Sequence, residues 1–449
     1  MSAVRNVIVM GAGGRDFHDF ALVFRDDPDV RVVAFTAAQI PGIDDRRFPA
    51  SLAGTAYPDG IPIRPQAELT QLIRDHRVDE VVLAYSDLSY ADVMHLSAEV
   101  LAAGADFRLL GPDATMLTST KPVIAVCASR TGAGKSQTTR LIGRILRDAG
   151  LRVALVRHPM PYGDLEAMRV QRFATLADIE ASHPTIEERE EYELPVREGM
   201  VMWAGVDYEA ILRAAEDEAD VIVWDGGNND LPFYRPDVMV TVVDPLRPGH
   251  ECGWYPGEVN LRRADIVVVN KVDVAAPADV GTVIGNVCRL APAAAIVQAA
   301  SPVVLSDGQS IAGARVLVVE DGPSVTHGGM PFGAGTVAAR AAGALELVDP
   351  RPFAVGSIAK TFAIYPHIGV VLPAMGYGEQ QLADLAATIA ATPCDVVVTG
   401  TPIDLSSVIR IDRPVRHASY SLRAIGAPDL ATLLAPFISS CLSARTTTA

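Results

Sequence analysis

Short apolar runs alternate with helical patterns from the start of the chain. The first runs, each typical of a buried strand, lie at 6–10, 31–36, 80–84 and 107–110. A helical pattern at 92–103 separates the last two of them. Strands that alternate with helices are typical of a parallel sheet, so we expect residues 1–121 to form one α/β unit.

The turn after the first strand is rich in glycine, and Gly11, Gly13 and Gly14 are followed by Arg15 and Asp16. This order resembles the opening of a Rossmann unit, in which a glycine turn binds a dinucleotide. Asp16 occupies the position of the third glycine, so the match is partial. Two alternatives therefore stay open for this Rossmann-like unit, a dinucleotide site and a tight turn without a ligand.

A second series of strands begins after residue 121, with the nearly continuous apolar runs of a sheet that is covered on both faces. These strands are predicted at 123–128, 152–156, 221–224, 238–243, 266–269, 295–297 and 316–319. Polar residues follow each of them. Since a doubly wound sheet places its site at the carboxyl ends of its strands, we expect residues 122–327 to form such a unit with its site there.

The clearest motif joins the first strand of this unit to its first helix. Residues 129–136 are Ser-Arg-Thr-Gly-Ala-Gly-Lys-Ser, the order of a P-loop in which Ser129 replaces the usual first glycine. The backbone of such a loop surrounds a phosphate, and Lys135 and Ser136 are expected to reach the phosphates and Mg²⁺. The residues predicted to bind the nucleotide are Ser129, Thr131, Gly132, Ala133, Gly134, Lys135, Ser136 and Gln137.

Two further strand ends of the central unit indicate nucleotide chemistry. Asp225 ends an apolar strand and precedes two glycines, where a Walker B aspartate supports Mg²⁺ and catalysis. Asn270, Lys271 and Asp273 have the spacing of the NKxD guanine motif, and Ser301 follows the next strand. An ionised Asp273 would accept hydrogen bonds from guanine, which favours GTP. The same residues in a plain polar loop leave ATP open.

Basic residues gather in the loops of the same units. Arg130 lies inside the P-loop, where a cation would neutralise transition-state charge as an arginine finger does. Several cations at one sheet edge would form a pocket for a multiply anionic substrate. The predicted substrate-binding residues are Arg157, His158, Arg247 and His250, and the further catalytic candidates are His327 and Lys360.

The segment 162–197 interrupts the central pattern with charged, irregular sequence, including the acidic run 187–191. Such a run is typical of a solvated helix face. We therefore expect a helical insertion that lies over the site and exposes these charges to water.

A third α/β unit is predicted over 328–449, and a second glycine-rich loop opens it. The loop contains Gly328, Gly329, Gly333 and Gly335 but lacks the Gly-Lys-Ser ending of a P-loop. Two alternatives stay open. Its backbone N–H groups, at Gly328 and Gly329 above all, bind a substrate anion, or the loop is a close-packed turn.

Composition narrows the class of protein. Among 449 residues, 38 are Lys or Arg and 54 are Asp or Glu, and the formal charge of −16 argues against nucleic-acid or anionic-membrane partners. The five cysteines form no CxxC pair, which favours reduced thiols and a cytoplasmic location. We find no signal-peptide pattern and no apolar run long enough to cross a membrane. The expected partner is a small anionic substrate, and a homo-oligomer is compatible with the sequence.

The run VVEDGPSVTHGGM at 318–330, followed by FGAG, resembles the cyclic 2,3-diphosphoglycerate synthetase family. So do the segments CASRTGAGKSQTTR, TVVDPLRPGHE and TPIDL, and the likeness extends over nearly the whole chain. The resemblance implies a three-part cytoplasmic ligase that uses ATP to join the two phosphates of 2,3-diphosphoglycerate. It also suggests the MinD and dethiobiotin-synthetase group of P-loop proteins, in which a signature lysine often occupies the position of Arg130.

That reaction sets polyanions against each other, so it needs a cationic clamp more than a base. Glu320 is a candidate metal ligand here, or with Asp321 it orients those cations. The alternative function is a regulatory or metallochaperone-like GTPase, which the NKxD motif favours. The second glycine loop and the basic strand ends favour the ligase.

Overall fold

The computed structural model describes residues 4–38, 46–158, 163–227, 230–306, 308, 310–326, 328–375, 378–401 and 405–448. Three large mixed sheets, each packed against helices, and one two-stranded ribbon make up this part of the chain. The predicted α/β class is therefore confirmed. None of the described helices is both long and apolar enough to cross a membrane.

The amino-terminal sheet has six strands. The edge strand Arg47–Phe48 pairs antiparallel with its neighbour, and the other pairs are parallel. Their order across the sheet is Arg47–Phe48, Ile61–Pro65, Val30–Ala37, Arg5–Met10, Glu80–Leu83 and Asp106–Leu109. The helices are Arg15–Asp19, which continues as a π-helix over Phe20–Phe24, and Ala50–Ala53, Leu69–Asp75, Tyr90–Ala103 and Pro112–Thr115. The strand order reverses beside Arg5–Met10, so the glycine turn lies at a topological switch point.

The central sheet has nine strands, of which the two outermost pair antiparallel and the rest parallel. Their order is Val170–Phe173, Val201–Gly205, Val153–Arg157, Val221–Asp225, Val123–Ala128, Val238–Val243, Ile266–Val269, Ala295–Ala300 and Arg423–Ala424. The helices are Lys135–Asp148, Leu176–Ala181, Ile186–Arg197, Tyr208–Glu218, Gly257–Arg262, Pro277–Leu290 and Leu430–Thr448.

Strand Val123–Ala128 shows why this sheet is buried on both faces. Its residues Ile124 and Val126 pack with Ile142 of the following helix, whereas Val123 and Ala125 face a second core on the opposite side. All six residues of the strand are buried. The continuous apolar run therefore reflects a doubly wound sheet, as predicted.

The third sheet contains Val303–Leu305, Val415–Tyr420, Val396–Gly400, Arg315–Asp321 and Glu346–Leu347, and Leu372–Ala374 also pairs with Arg315–Asp321. Its helices are Gly322–Val325, Ala334–Ala341, Gly356–Ile364 and Glu379–Ala391.

Two features of chain tracing differ from the prediction. The strand predicted at 316–319 lies in the third sheet rather than the central one. In the other direction, Arg423–Ala424 and the helix Leu430–Thr448 return to the central unit, where Leu430 and Leu434 join its core. An apolar run predicts a strand but not its neighbours, so the pattern alone could not assign either segment.

A small ribbon attaches the amino-terminal unit to the central one. Leu88–Ser89 pairs antiparallel with Trp254–Tyr255. Nearby, the Tyr90 hydroxyl donates to Glu258 at 2.7 Å. This junction lies next to the P-loop, because Trp254 stacks on Arg130.

Candidate active site

One cavity of about 790 Å³ is lined by residues of all three units. Gly13 and Tyr85 come from the amino-terminal unit, Lys135 and Ser136 from the P-loop, and Lys360 from the third unit. The carboxyl ends of parallel strands are where such folds bind ligands. The cavity therefore joins the predicted nucleotide site to both neighbouring units.

The P-loop has the backbone expected of a phosphate cradle. Gly132 and Gly134 have φ of 78° and 110°, and the helix begins at Lys135. A Cβ on Gly134 would lie 2.0 Å from Nδ2 of Asn270, so only glycine fits there. Among the described residues, no hydrogen bond engages the N–H groups of Gly134, Lys135 or Ser136. This loop is therefore open to an anion.

Lys135 and Arg157 share one buried carboxylate. Nζ of Lys135 lies 2.5 Å from Oδ1 of Asp225, and Nη1 of Arg157 lies 3.0 Å from Oδ2. Thr139 also donates to Asp225, at 3.0 Å. Burial and Arg157 lower the pKa of Lys135, whereas both cations hold the pKa of Asp225 below its usual range although burial opposes them. Asp225 thus holds two cations of the cavity wall, the P-loop lysine and Arg157, against one carboxylate.

The acidic insertion is a helix, Ile186–Arg197, but its acidic face is not solvated as predicted. Glu188, Glu190 and Glu193 are buried. Oε1 of Glu191 lies 2.6 Å from Nη2 of Arg157, and Ser136 donates to its Oε2 at 3.3 Å. Glu190 and Glu191 therefore belong to the cavity wall, which a run of like charges in the sequence did not reveal.

The residues of the predicted guanine motif mainly fix the P-loop. Asn270 Nδ2 donates to Ala133 O at 2.9 Å, and Lys271 Nζ donates to Gly132 O at 2.7 Å and to Asp244 at 2.8 Å. Lys271 and Arg247 lower the pKa of Asp244 against the opposing effect of burial.

Asp273 lies on the surface beside this motif and accepts from the N–H of Ser301 at 3.3 Å. The hydroxyl of Ser301 in turn bonds the side chain of Gln137. The structure therefore brings Asp273, Ser301 and Gln137 together at one end of the P-loop helix.

Arg247 connects the P-loop to the second glycine-rich loop. Its guanidinium donates to Thr131 O and to Gly328 O, each at 2.8 Å. Gly328 and Gly329 therefore differ from their predicted role. Their N–H groups donate to Pro323 O and Thr326 O within the turn, and the Gly328 carbonyl accepts from Arg247.

The rest of the second glycine-rich loop is filled by an internal carboxylate. Glu320 accepts from the N–H groups of Gly333 and Gly335 at 3.0 Å and of Thr336 at 2.7 Å, and from the Thr336 hydroxyl at 2.7 Å. Its side chain is 1% exposed. Glu320, predicted as a metal ligand, instead supplies the anion that this loop binds, so the close-packed turn is the alternative that the geometry supports.

The amino-terminal glycine turn is closed in the same way. Asp16 accepts from the N–H groups of Gly13, Gly14 and Phe17 at 2.9 to 3.3 Å. Burial raises the pKa of Asp16 to about 6. A dinucleotide phosphate would need the same N–H groups. Of the two alternatives, the geometry therefore supports the tight turn without a ligand.

The other predicted residues occupy different parts of the cavity wall. Nδ1 of His158 lies 2.7 Å from Oδ2 of the buried Asp230. Lys360 is exposed and lines the part of the cavity wall that the third unit contributes. His250 contacts Arg130 at 2.6 Å. His327 lies outside the described residues, as do Pro402, Ile403 and Asp404 of the TPIDL segment.

Arg130 turns toward the amino-terminal unit. Its Nε lies 2.7 Å from Oδ1 of Asp87, and its guanidinium carbon lies 3.3 Å from the ring centre of Trp254. Sequence reasoning missed Asp87, Glu191 and Trp254. Each reaches the P-loop from a distant segment, and no local spacing in the sequence signals such a contact.

Comparisons with known proteins place the chain in context. No protein-family model matches it. It is 52% identical over 437 residues to the protein named arginine synthetase ArcE of Thermococcus kodakarensis, covering 97% of this chain and 98% of that protein.

Solved structures are less similar. LpxK from Aquifex aeolicus, solved in complex with ATP, is 13% identical with a TM-score of 0.42, covering 82% of this chain and 99% of that chain. The UDP-N-acetylmuramate:L-alanyl-gamma-D-glutamyl-meso-diaminopimelate ligase from Neisseria meningitides is 9% identical with a TM-score of 0.26, covering 69% and 82%. Neither likeness is close enough to bear on function.

Proposed function

This chain belongs to the family of the Thermococcus kodakarensis arginine synthetase ArcE, and from that premise we propose that it is an ATP-dependent ligase. In the proposed reaction, the γ-phosphoryl group moves to an oxygen atom of an amino-acid acceptor, and an amine then displaces phosphate. The observation that carries the proposal is the open P-loop, which lines one cavity together with residues of both neighbouring units.

The P-loop residues suit phosphoryl transfer. The N–H groups of Gly134, Lys135 and Ser136 would surround the phosphates, and Lys135 would exchange Asp225 for a phosphate oxygen. Mg²⁺ fits this corner, because Ser136 and Asp225 offer the oxygen ligands it prefers. When bound, Mg²⁺ supplies positive charge that offsets the charge of the β- and γ-phosphates.

The rest of the cavity favours an acceptor that carries both charges. Glu190, Glu191 and Asp321 line it together with the cations Arg157 and Lys360. In the described part of the two glycine turns outside the P-loop, Asp16 and Glu320 already accept the N–H groups that a second phosphate would need. An amino acid matches such mixed charge better than a bisphosphate does.

The name of the relative directs the choice of acceptor. Arginine differs from the ureido amino acid citrulline by a nitrogen atom in place of the ureido oxygen. Transfer would break the bond between the γ-phosphorus and its bridging oxygen, release ADP and phosphorylate the ureido oxygen. Ammonia would then form the new C–N bond as the C–O bond breaks, releasing inorganic phosphate and protons. We therefore propose arginine as the product.

The resemblance of the EDGPSVTHGGM run to cyclic 2,3-diphosphoglycerate synthetases favours a second candidate, the ATP-dependent cyclisation of 2,3-diphosphoglycerate. That reaction would place two substrate phosphates against the nucleotide. Arg157 is one of the cations expected in its clamp, but Asp225 and Glu191 already neutralise Arg157. The cyclisation is therefore the less favoured of the two.

One assay separates these functions. The purified protein is incubated with Mg²⁺ and either ATP or GTP, in parallel with citrulline plus ammonium, with 2,3-diphosphoglycerate, or with no acceptor. Phosphorus NMR follows the phosphate species, and amino-acid analysis follows arginine. We expect arginine, ADP and phosphate in equal amounts with ATP.

Formation of a cyclic bisphosphate without arginine would support the second candidate and reject the first. Hydrolysis that prefers GTP and ignores every acceptor would reject both in favour of a GTPase, which the NKxD spacing would explain. A preference between ATP and GTP is measured in the same experiment, since Asp273 would accept only from guanine.

A further inference from the structure

The side chain of Arg130 leaves the P-loop and contacts four groups. Its Nε donates to Oδ1 of Asp87 at 2.7 Å, and its Nη1 donates to Nδ1 of His250 at 2.6 Å. The face of the guanidinium stacks on Trp254, and Nη2 lies 3.5 Å from Gly328 O. The side chain is only 3% exposed, so its position is defined by these contacts.

The hydrogen bonding identifies the state of His250. An arginine can only donate, so Nδ1 of His250 must accept with its lone pair. Burial, together with Arg130 and Arg247, lowers the pKa of His250 to about 4. The imidazole is therefore neutral at neutral pH, and Asp87 is the carboxylate that balances the charge of Arg130.

The guanidinium keeps donors for a ligand. It has five N–H groups in one plane, and its contacts with described residues use the one on Nε, one on Nη1 and one on Nη2. The remaining two lie on the terminal nitrogens of a residue that lines the cavity. A guanidinium fixed in its plane and still able to donate suits a phosphoryl group that gains charge.

Asp87 belongs to the amino-terminal unit and is itself held in place. It lies just before the ribbon strand Leu88–Ser89, which pairs with Trp254–Tyr255, and it has a φ of 60°, which is uncommon outside glycine. Its side chain is 6% exposed. The same short ribbon therefore positions both the carboxylate and the ring that orient Arg130.

We propose that Asp87 is a positioning residue for the P-loop arginine, so that the amino-terminal unit completes the phosphoryl-transfer site. This inference rests on the proposed function, because Arg130 acts there on the transferring group. It gives the amino-terminal unit, whose glycine turn is closed by Asp16, a role that requires no ligand of its own.

The test compares two carboxylates of the amino-terminal unit. Asp87→Asn removes the charge beside Arg130. Asp113→Asn removes ion pairs to Arg263 at 3.1 Å and to Arg235 at 3.8 Å, and Asp113 does not line the cavity. Both variants weaken a link between the same two units. Asp87→Glu restores the charge, and thermal unfolding shows whether each variant is folded.

We expect Asp87→Asn to lower kcat for nucleotide turnover roughly 10- to 100-fold, with little change in KM for the nucleotide. The reason is that a displaced Arg130 guanidinium would stabilise the transition state less while nucleotide binding stays nearly the same. Asp87→Glu should recover part of this loss, and Asp113→Asn should retain kcat. Equal losses in Asp87→Asn and Asp113→Asn would overturn the proposal, because docking of the unit would then be the cause.

A second measurement uses Arg130→Ala and added guanidinium ion. We expect guanidinium to restore part of kcat in Arg130→Ala and to restore less when Asp87→Asn is also present. Equal rescue in both backgrounds would overturn the proposal. Turnover is read as ADP release with and without acceptor. Absence of arginine in the unchanged protein would count against the proposed function alone, and the comparison of Asp87 with Asp113 would still be decided by ADP release.

Discussion

At the scale of single residues, carboxylates decide which glycine turn can receive a phosphate. Asp16 and Glu320 accept the N–H groups of their own loops, whereas the P-loop carries no such acceptor among the described residues. The glycines of all three loops were evident in the sequence. The sequence did not show that Glu320 fills the glycine loop of the third unit, because Glu320 lies 13 residues before Gly333 and the fold brings the two together.

Asp19 gives a prediction that depends on pH. Burial raises its pKa from 3.8 to about 7, although Arg15, 3.5 Å away, opposes the shift. A carboxyl whose pKa is higher in the folded state stabilises the fold below its unfolded pKa, and this stability is lost as the pH rises through the folded value. Asp19→Asn removes the titration. We expect its free energy of unfolding, relative to the unchanged protein, to rise by about 4 kcal/mol between pH 4 and pH 8.

Denaturant unfolding of both proteins across this pH range measures the difference. The attraction of Arg15 for the ionised carboxylate is already part of the folded pKa of about 7, so the change of this difference with pH, rather than its absolute value, carries the result. A difference that stays constant with pH would show that folding does not raise the pKa of Asp19.

At the scale of elements, the sequence predicted most strands of the central sheet and the helix of the P-loop. It failed at the acidic insertion, where the helix was expected but its burial was not. Glu188 and Glu193 are buried because arginines and a capping threonine satisfy them, as in the pair of Glu193 with Arg189 at 2.8 Å. Charge in a sequence predicts exposure only when no such partner folds against it.

The insertion helix Ile186–Arg197 carries the second prediction. Glu191 contacts Arg157 and the Ser136 hydroxyl, so Glu191→Gln weakens the position of both beside the phosphate cradle. We expect kcat to fall roughly 10- to 100-fold, because a displaced catalytic group loses transition-state stabilisation. Glu193→Gln is the matched control, since Glu193 pairs with Arg189 and Arg197 on the same helix. Steady-state kinetics should show that Glu193→Gln keeps its kcat, and an equal loss in both would assign the effect to helix stability.

At the scale of the whole molecule, three α/β units share one cavity, and the chain passes between them more than once. Strand Arg315–Asp321 belongs to the third sheet, while Arg423–Ala424 and the last helix return to the central one. Periodicity predicts that a segment is a strand or helix, but the partner is chosen by packing over hundreds of residues. The α/β class was therefore predictable from the sequence, whereas the exchange of segments between the sheets was not.

The last helix, Leu430–Thr448, carries the final prediction. Leu434 is fully buried in the core that also contains Ile142 and Leu146 of the P-loop helix. Leu434→Ala leaves a cavity there and should lower the free energy of unfolding by about 2 to 5 kcal/mol. Leu442→Ala, at a position that is 38% exposed on the same helix, should cost less than about 1 kcal/mol.

Added nucleotide stabilises only the folded state, so it should raise the stability of both variants by a similar amount. A smaller gain in stability from nucleotide in Leu434→Ala would show that this helix, although distant in sequence, also shapes the phosphate cradle. Equal stabilities of Leu434→Ala and Leu442→Ala would contradict the place of Leu434 in the central core.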